Sequence, residues 1–159
     1  MKIPECSIIQ GGALLAAALS RPGDMVLLCL AGICAVTDLM KGKVYNAVTV
    51  PGLVAGLIFA ADRAGSTGLL EVLCSAGFTL LVLFPFYSAG GLGAGDIKLL
   101  AAVSAFMTSE AYLRCFAASF LIGAAGGLAG LILSGGRART VHFAVPVAAG
   151  VILHLAGLY

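Results

Sequence analysis

Cys115–Gly136, CFAASFLIGAAGGLAGLILSGG, runs between Arg114 and Arg137 for 22 residues without a formal charge. A helix of that length rises about 33 Å, enough to cross the roughly 30 Å hydrocarbon core of a bilayer. Two further stretches share the character: Glu71 and Asp96 enclose 24 uncharged residues, and the last 20, after Arg139, carry no formal charge beyond His142 and His154. The whole 159-residue chain is 61% hydrophobic and only 10% charged, with a mean hydropathy of +1.12. A water-soluble domain of this size must show water a polar exterior and could not hide that much apolar surface. The sequence therefore reads as an all-α integral membrane protein.

Working outward, charges and Gly or Pro breaks divide the chain into six apolar segments, about 23–40, 44–62, 69–88, 95–112, 114–134 and 141–158, and so predict a bundle of about six transmembrane helices. The first and fourth are unusual: only 13 uncharged residues separate Asp24 from Asp38, and 11 separate Lys98 from Glu110. Each reaches membrane length only if its aspartate lies at or within the bilayer boundary, lined there by protein or by a water-filled cavity. Residues 1–22 form a separate N-terminal apolar segment, interfacial or partly inserted, ended by Arg21-Pro22-Gly23-Asp24. Its Glu5 and the membrane sequence that follows argue against a cleaved signal peptide. Residues 23–159 make one domain. Gly52 with Gly56, Gly123 with Gly127, and Gly126 with Gly130 each put small residues on one helical face, where helices can approach closely.

Several function classes drop out. A net charge of +2 with scattered Lys and Arg is no nucleic-acid footprint. Cys6, Cys29, Cys34, Cys74 and Cys115 contain no C-x-x-C pair, which leaves them as small buried hydrophobes rather than a zinc or redox site. His142 and His154, twelve apart on one apolar segment, lack metal-ligand spacing and read as packing or interfacial residues. No metal or cofactor is expected.

Alternation of six spans places the end of the first segment and the start of the fourth on the same side. Lys41, Lys43, Lys98, Arg137 and Arg139 share that side against Lys2, Arg21, Arg63 and Arg114 on the other; the richer side is the cytoplasmic one by the positive-inside rule. Asp38 and Asp96 can then meet at the cytoplasmic face. Two carboxylates brought together at a water-accessible boundary cannot cheaply both ionise and tend to share a proton. One can take a proton from water attacking a peptide carbonyl while the other donates to the carbonyl oxygen and then to the leaving amine. Asp38 lies near a helix C-terminus, where the dipole disfavours negative charge, and Asp96 at a helix N-terminus, where it is favoured; on that basis Asp38 starts as the acid and Asp96 as the base.

Each residue also has a plain structural reading. Asp96 after Gly95 makes a good N-cap, and Asp38 could be a boundary charge paired with Lys41 or Lys43. Gly91, Gly93 and Gly95 permit backbone conformations closed to other residues and the close approach of an extended substrate, or simply form a loop. Lys98 could steady the dyad or snorkel to headgroups. Lys41 and Lys43 read as topology signals.

These residues resemble the motifs of the type IV prepilin leader peptidases, membrane aspartyl proteases of the GxGD class. Gly93-Ala94-Gly95-Asp96-Ile97-Lys98-Leu99 is similar to the family's G-x-G-D-x-K-L signature, and Asp38 through Asn46, DLMKGKVYN, to its aspartate followed by a basic stretch and I-P-N, with Val44 and Tyr45 in place of Ile and Pro. The resemblance covers roughly residues 25–158, including a closing helix with an internal proline, Pro146. It implies an aspartic endopeptidase with Asp38 and Asp96 as its catalytic pair and Gly93, Gly95, Lys98 and Asn46 in the loops around them. The substrate it implies is a prepilin-like precursor, whose short basic leader is removed just before an apolar helix at the cytoplasmic face of a prokaryotic plasma membrane. It further implies the short, protease-only type associated with Flp or tight-adherence pili, without methyltransferase activity. The rival from another class is a small proton- or cation-coupled transporter using the same carboxylates.

Overall fold

The structure is a computed structural model; it describes residues 21–90, 92–133 and 142–158. The expected N-terminal segment therefore lies outside the described residues apart from Arg21 and Pro22, as do Gly91, Arg137 and Arg139. Five helices account for the regular structure: α1 Pro22–Lys41, α2 Asn46–Ser88, α3 Ala94–Ser104, α4 Ser109–Leu133 and α5 Ala144–Leu155.

Local chemistry sets most of the ends. Pro22 opens α1, where its missing N–H has no intrahelical partner to lose. Gly42 closes it in the left-handed region, at φ 61°, and donates its N–H to the Asp38 carbonyl at 2.7 Å. α2 is 43 residues long, and a straight helix of that length would extend about 64 Å, twice a bilayer core. It is not straight. Ala64 and Gly65 leave helical geometry, Gly65 at φ 57° and ψ −133°, a region open in practice only to glycine. Beyond this break the chain turns back on itself: a Cβ placed on Gly68 would run into the Ala60 carbonyl, eight residues away and about 12 Å distant along a straight helix. Arg63 secures the bend. Its guanidinium donates to the carbonyls of Phe106 (3.3 Å) and Met107 (3.2 Å) and pairs with Glu71 at 3.4 Å.

The segments expected at 44–62 and 69–88 thus correspond to two arms of α2 joined by a sharp break. The fourth and fifth differ more. A span was expected over 95–112, but α3 stops at Ser104 and α4 begins at Ser109. The end of α3 tightens, with Ala105 and Phe106 donating three residues back. Thr108 then starts α4, its hydroxyl accepting the Ala111 N–H and its carbonyl the Tyr112 N–H. Among the described residues three helices, α1, α2 and α4, are long and apolar enough to cross a membrane. α3 and α5, of 11 and 12 residues, rise only about 16 and 18 Å.

α3 forms the centre of the bundle. Leu99, Leu100, Ala102 and Val103 are fully buried, joined by Leu27, Ala31 and Cys34 of α1, Leu83 of α2, Tyr112 and Cys115 of α4, and Val147 and Val151 of α5. α2 packs chiefly on α3, and α5 lies against both α1 and α4. Gly52 faces Leu30 and Gly56 faces Ala105 and Phe106, both too closely for a side chain, and Gly123 faces Phe143 in a tight contact; among the described residues nothing lies against Gly126 or Gly130. Polar contacts inside the bundle join the second arm of α2 to α4, Ser75 to Ser109 at 3.3 Å and Thr79 to the Tyr112 hydroxyl. The outer faces are apolar: Leu81 is 78% and Leu133 88% exposed, with Leu73, Phe84, Leu121 and Ile132 similar. An exterior of this kind suits lipid.

Candidate active site

Asp38 stands on the buried stripe of α1. Leu27, Leu30, Ala31, Cys34 and Asp38 are the buried residues of that helix, spaced three and four apart so that they share one face. The periodicity that buries the leucines therefore carries a carboxylate inward, leaving Asp38 only 7% exposed. Gly42 accepts the end of the helix four residues later, so the chain can turn away without stripping Asp38 from the bundle.

Asp96 arrives from α3. Gly93, with extended backbone, is the N-cap and Asp96 the third helical residue; the expectation that Asp96 itself caps the helix is corrected by this register. Its Oδ2 reaches back to accept the Gly93 N–H at 3.2 Å, and the helix N-terminus favours its negative charge.

The two aspartates line one cavity of about 390 Å³, open to the outside, together with Gly42, Lys43, Val44, Tyr45, Asn46, Gly93 and Gly95. Of the residues anticipated from sequence, Asp38, Asp96, Gly93, Gly95 and Asn46 meet here. Lys98 does not line the cavity; its ammonium donates to the Asn46 side-chain oxygen at 3.1 Å, tying the start of α2 to the first turn of α3. The connection between α1 and α2 is pinned again at Gly95, where a Cβ would come within 2.9 Å of the Val44 Cβ. Lys41 sits over the Tyr45 ring, 5.5 Å from its centroid, so the residue standing where the resembled motif has proline is held by a cation–π contact. Lys43, read from sequence as a topology signal, is part of the cavity wall.

One participant had no signal in the spacing of charges. The backbone N–H of Ala144, first residue of α5, donates to Asp38 Oδ2 at 3.2 Å in a buried contact across 106 positions of sequence. His154 is at the opposite end of α5, near a separate cavity of about 220 Å³ lined with Thr108, Glu110, Ala111 and Arg114. Among the described residues no three His, Cys, Asp or Glu side chains gather to hold a metal ion. Two carboxylates facing a shared, water-accessible space are equipped for paired acid and base chemistry.

Comparison with known proteins adds the lineage. Residues 25–128 match the type IV leader peptidase family, a range that contains both aspartates and stops short of α5. A prepilin leader peptidase/N-methyltransferase of Bacillus subtilis (strain 168) is 31% identical over 156 residues, covering 95% of this chain and 62% of its own length. The chain thus spans less than two thirds of that relative. No solved structure matches it.

Proposed function

The chain belongs to the type IV leader peptidase family, and from that premise we propose that it is a membrane-embedded aspartic endopeptidase. Its substrate is a prepilin-like precursor of the Flp or tight-adherence kind, with a short basic leader ahead of an apolar helix. The observation that carries the reading is the convergence of Asp38 and Asp96, from α1 and α3, on one open cavity. In this reading one carboxylate removes a proton from water as it attacks the scissile carbonyl. The other, protonated, donates to the carbonyl oxygen and, as the intermediate collapses, to the leaving amine. Gly93 and Gly95 keep side chains out of the cavity wall, leaving room for an extended peptide beside the pair. The proposal covers proteolysis alone, without methyl transfer.

Topology follows as part of the same proposal. The two arms of α2 cross the bilayer separately, and α3 and α5 complete crossings together with their flanking residues, giving about six spans in residues 23–159. The end of the bundle that carries Lys41, Lys43 and Lys98 faces the cytoplasm of a prokaryotic cell.

Co-expression with candidate prepilin-like precursors tests the function. Wild type is expected to remove the leader, and Asp38→Asn and Asp96→Asn each to slow removal by a hundredfold or more, the usual scale of positioned acid–base catalysis, about 10²–10⁴-fold. Unimpaired processing by either variant overturns the dyad. Ion movement dependent on either carboxylate, with no cleavage of any precursor, replaces the peptidase with a transporter.

A further inference from the structure

The first turn of α5 can be accounted for donor by donor. Phe143 precedes it without a side-chain cap, having no polar atom to offer. The Val145 N–H goes to the His142 carbonyl and the Val147 N–H to the Phe143 carbonyl, both at 3.3 Å. Pro146 has no N–H, a loss tolerated in a first turn. That leaves Ala144, whose N–H departs from the helix and meets Asp38 Oδ2 at 3.2 Å. The carboxylate of α1 therefore serves α5 as the N-cap that its own sequence lacks.

Deepening the peptidase reading, and resting on it for the reaction concerned, we infer that the Ala144 N–H is a positioning group for Asp38. It holds one carboxylate oxygen so that the other is presented to the cavity in a fixed orientation. Three observations converge on this. Asp38 is 93% withdrawn from solvent, being 7% exposed, and among the described residues the Ala144 N–H is the donor to its carboxylate. A hydrogen bond to a carboxyl group is strong in such low-dielectric surroundings and leaves little freedom to rotate. The positive end of the α5 dipole meets Asp38 where the negative end of α1 opposes it, so the burial of a carboxylate at a helix C-terminus acquires a physical reason. Finally, Gly150 brings α5 tight against Cys115 and Ser119 of α4, and Val147 and Val151 are fully buried. The donor is thus mounted on an element packed closely against α4.

Replacing the Ala144 amide by an ester, through incorporation of the matching α-hydroxy acid during cell-free synthesis of the full chain into nanodiscs, deletes the donor and weakens the Phe143 carbonyl that accepts the Val147 N–H. The same replacement at Val145, whose N–H bonds to the His142 carbonyl and not to Asp38, is the control, since it too weakens one neighbouring carbonyl. Two quantities are read: the infrared carboxyl or carboxylate band of Asp38, identified by isotope-labelled aspartate and its loss in Asp38→Asn, and the kinetics on a synthetic peptide with a lysine-rich leader and an apolar continuation. The ester at 144 is expected to shift the band and to lower kcat about tenfold to a hundredfold with KM within twofold, while the ester at 145 leaves the band in place. Ala144→Pro removes the same N–H, with Phe143, at φ −70° and ψ −23°, having to leave the helical region to accommodate it, and is expected to reproduce the band shift, should the ester fold poorly. An unchanged band in both Ala144 variants, or an equal shift from the ester at 145, overturns the inference. If wild type fails to cut the peptide while the band still moves, the peptidase reading falls and the positioning contact stands.

Discussion

At the scale of single residues, the crowding of Gly95 against Val44 makes a prediction that separates cavity shape from folding. A Cβ at position 95 would meet the Val44 Cβ at 2.9 Å and its carbonyl oxygen at 3.4 Å, so Gly95→Ala must push the connecting loop away from α3. Cleavage of a prepilin-like peptide is expected to fall at least tenfold in kcat/KM, and Val44→Gly in the same chain, which removes the opposing Cβ, to restore part of it; circular dichroism on each variant checks that the helices remain. Lys98 and Asn46 behave as a pair. The bond between them is exposed, so losing it costs stability little, about 1 kcal/mol or less, whereas loosening the cavity rim is expected to lower activity severalfold. Lys98→Met and Asn46→Ala should each have this effect, and the double variant should be no worse than either alone. The aspartates themselves were legible because a charge inside an apolar run stands out. The partner of Lys98 was not, since 52 residues separate it from Asn46 and nothing local marks the pairing.

At the scale of elements, the break in α2 depends on one glycine and one arginine. Gly65 holds φ 57° with ψ −133°, and a side chain there adds strain of about 1–3 kcal/mol. Gly65→Ala is therefore expected to lower the thermal midpoint in detergent, read by loss of helical signal. Arg63→Ala is expected to cost about 1–2 kcal/mol, because it leaves the Phe106 and Met107 carbonyls without their donor just past the end of α3. The sequence marked both places imperfectly. Arg63 read as a boundary charge and Glu71 as the start of an uncharged run, when they are an ion pair across a fold-back. Glu110 read as lying within a span over 95–112, when Thr108-Ser109-Glu110 is the opening of α4. A charge reports that a boundary is near, while the cap two residues before it reports which helix the charge belongs to.

At the scale of the molecule, the distribution of apolar side chains governs where the protein resides and what reaches its interior. Large hydrophobics cover the outward faces of α1, α2 and α4, so the chain is expected to stay with membranes through an alkaline carbonate wash and to leave them only in detergent. Within the detergent-solubilised fold, maleimide is expected to modify Cys29 and Cys74, which are exposed, and to spare Cys34 and Cys115, which are buried, until the protein is unfolded; mass spectrometry of the labelled peptides checks this. Membrane character and helical class were decided by the sequence alone, because hydropathy is a sum over neighbouring residues and 61% hydrophobic composition leaves few other solutions. The two aspartates, too, were singled out by local contrast. Only the tertiary structure decided that α3 ends at Ser104, that Lys98 holds Asn46, and that the first N–H of α5 is directed at Asp38. Each of these depends on contacts between residues far apart in the chain, and the energies that select them arise in packing, where no local pattern of charge or polarity records them.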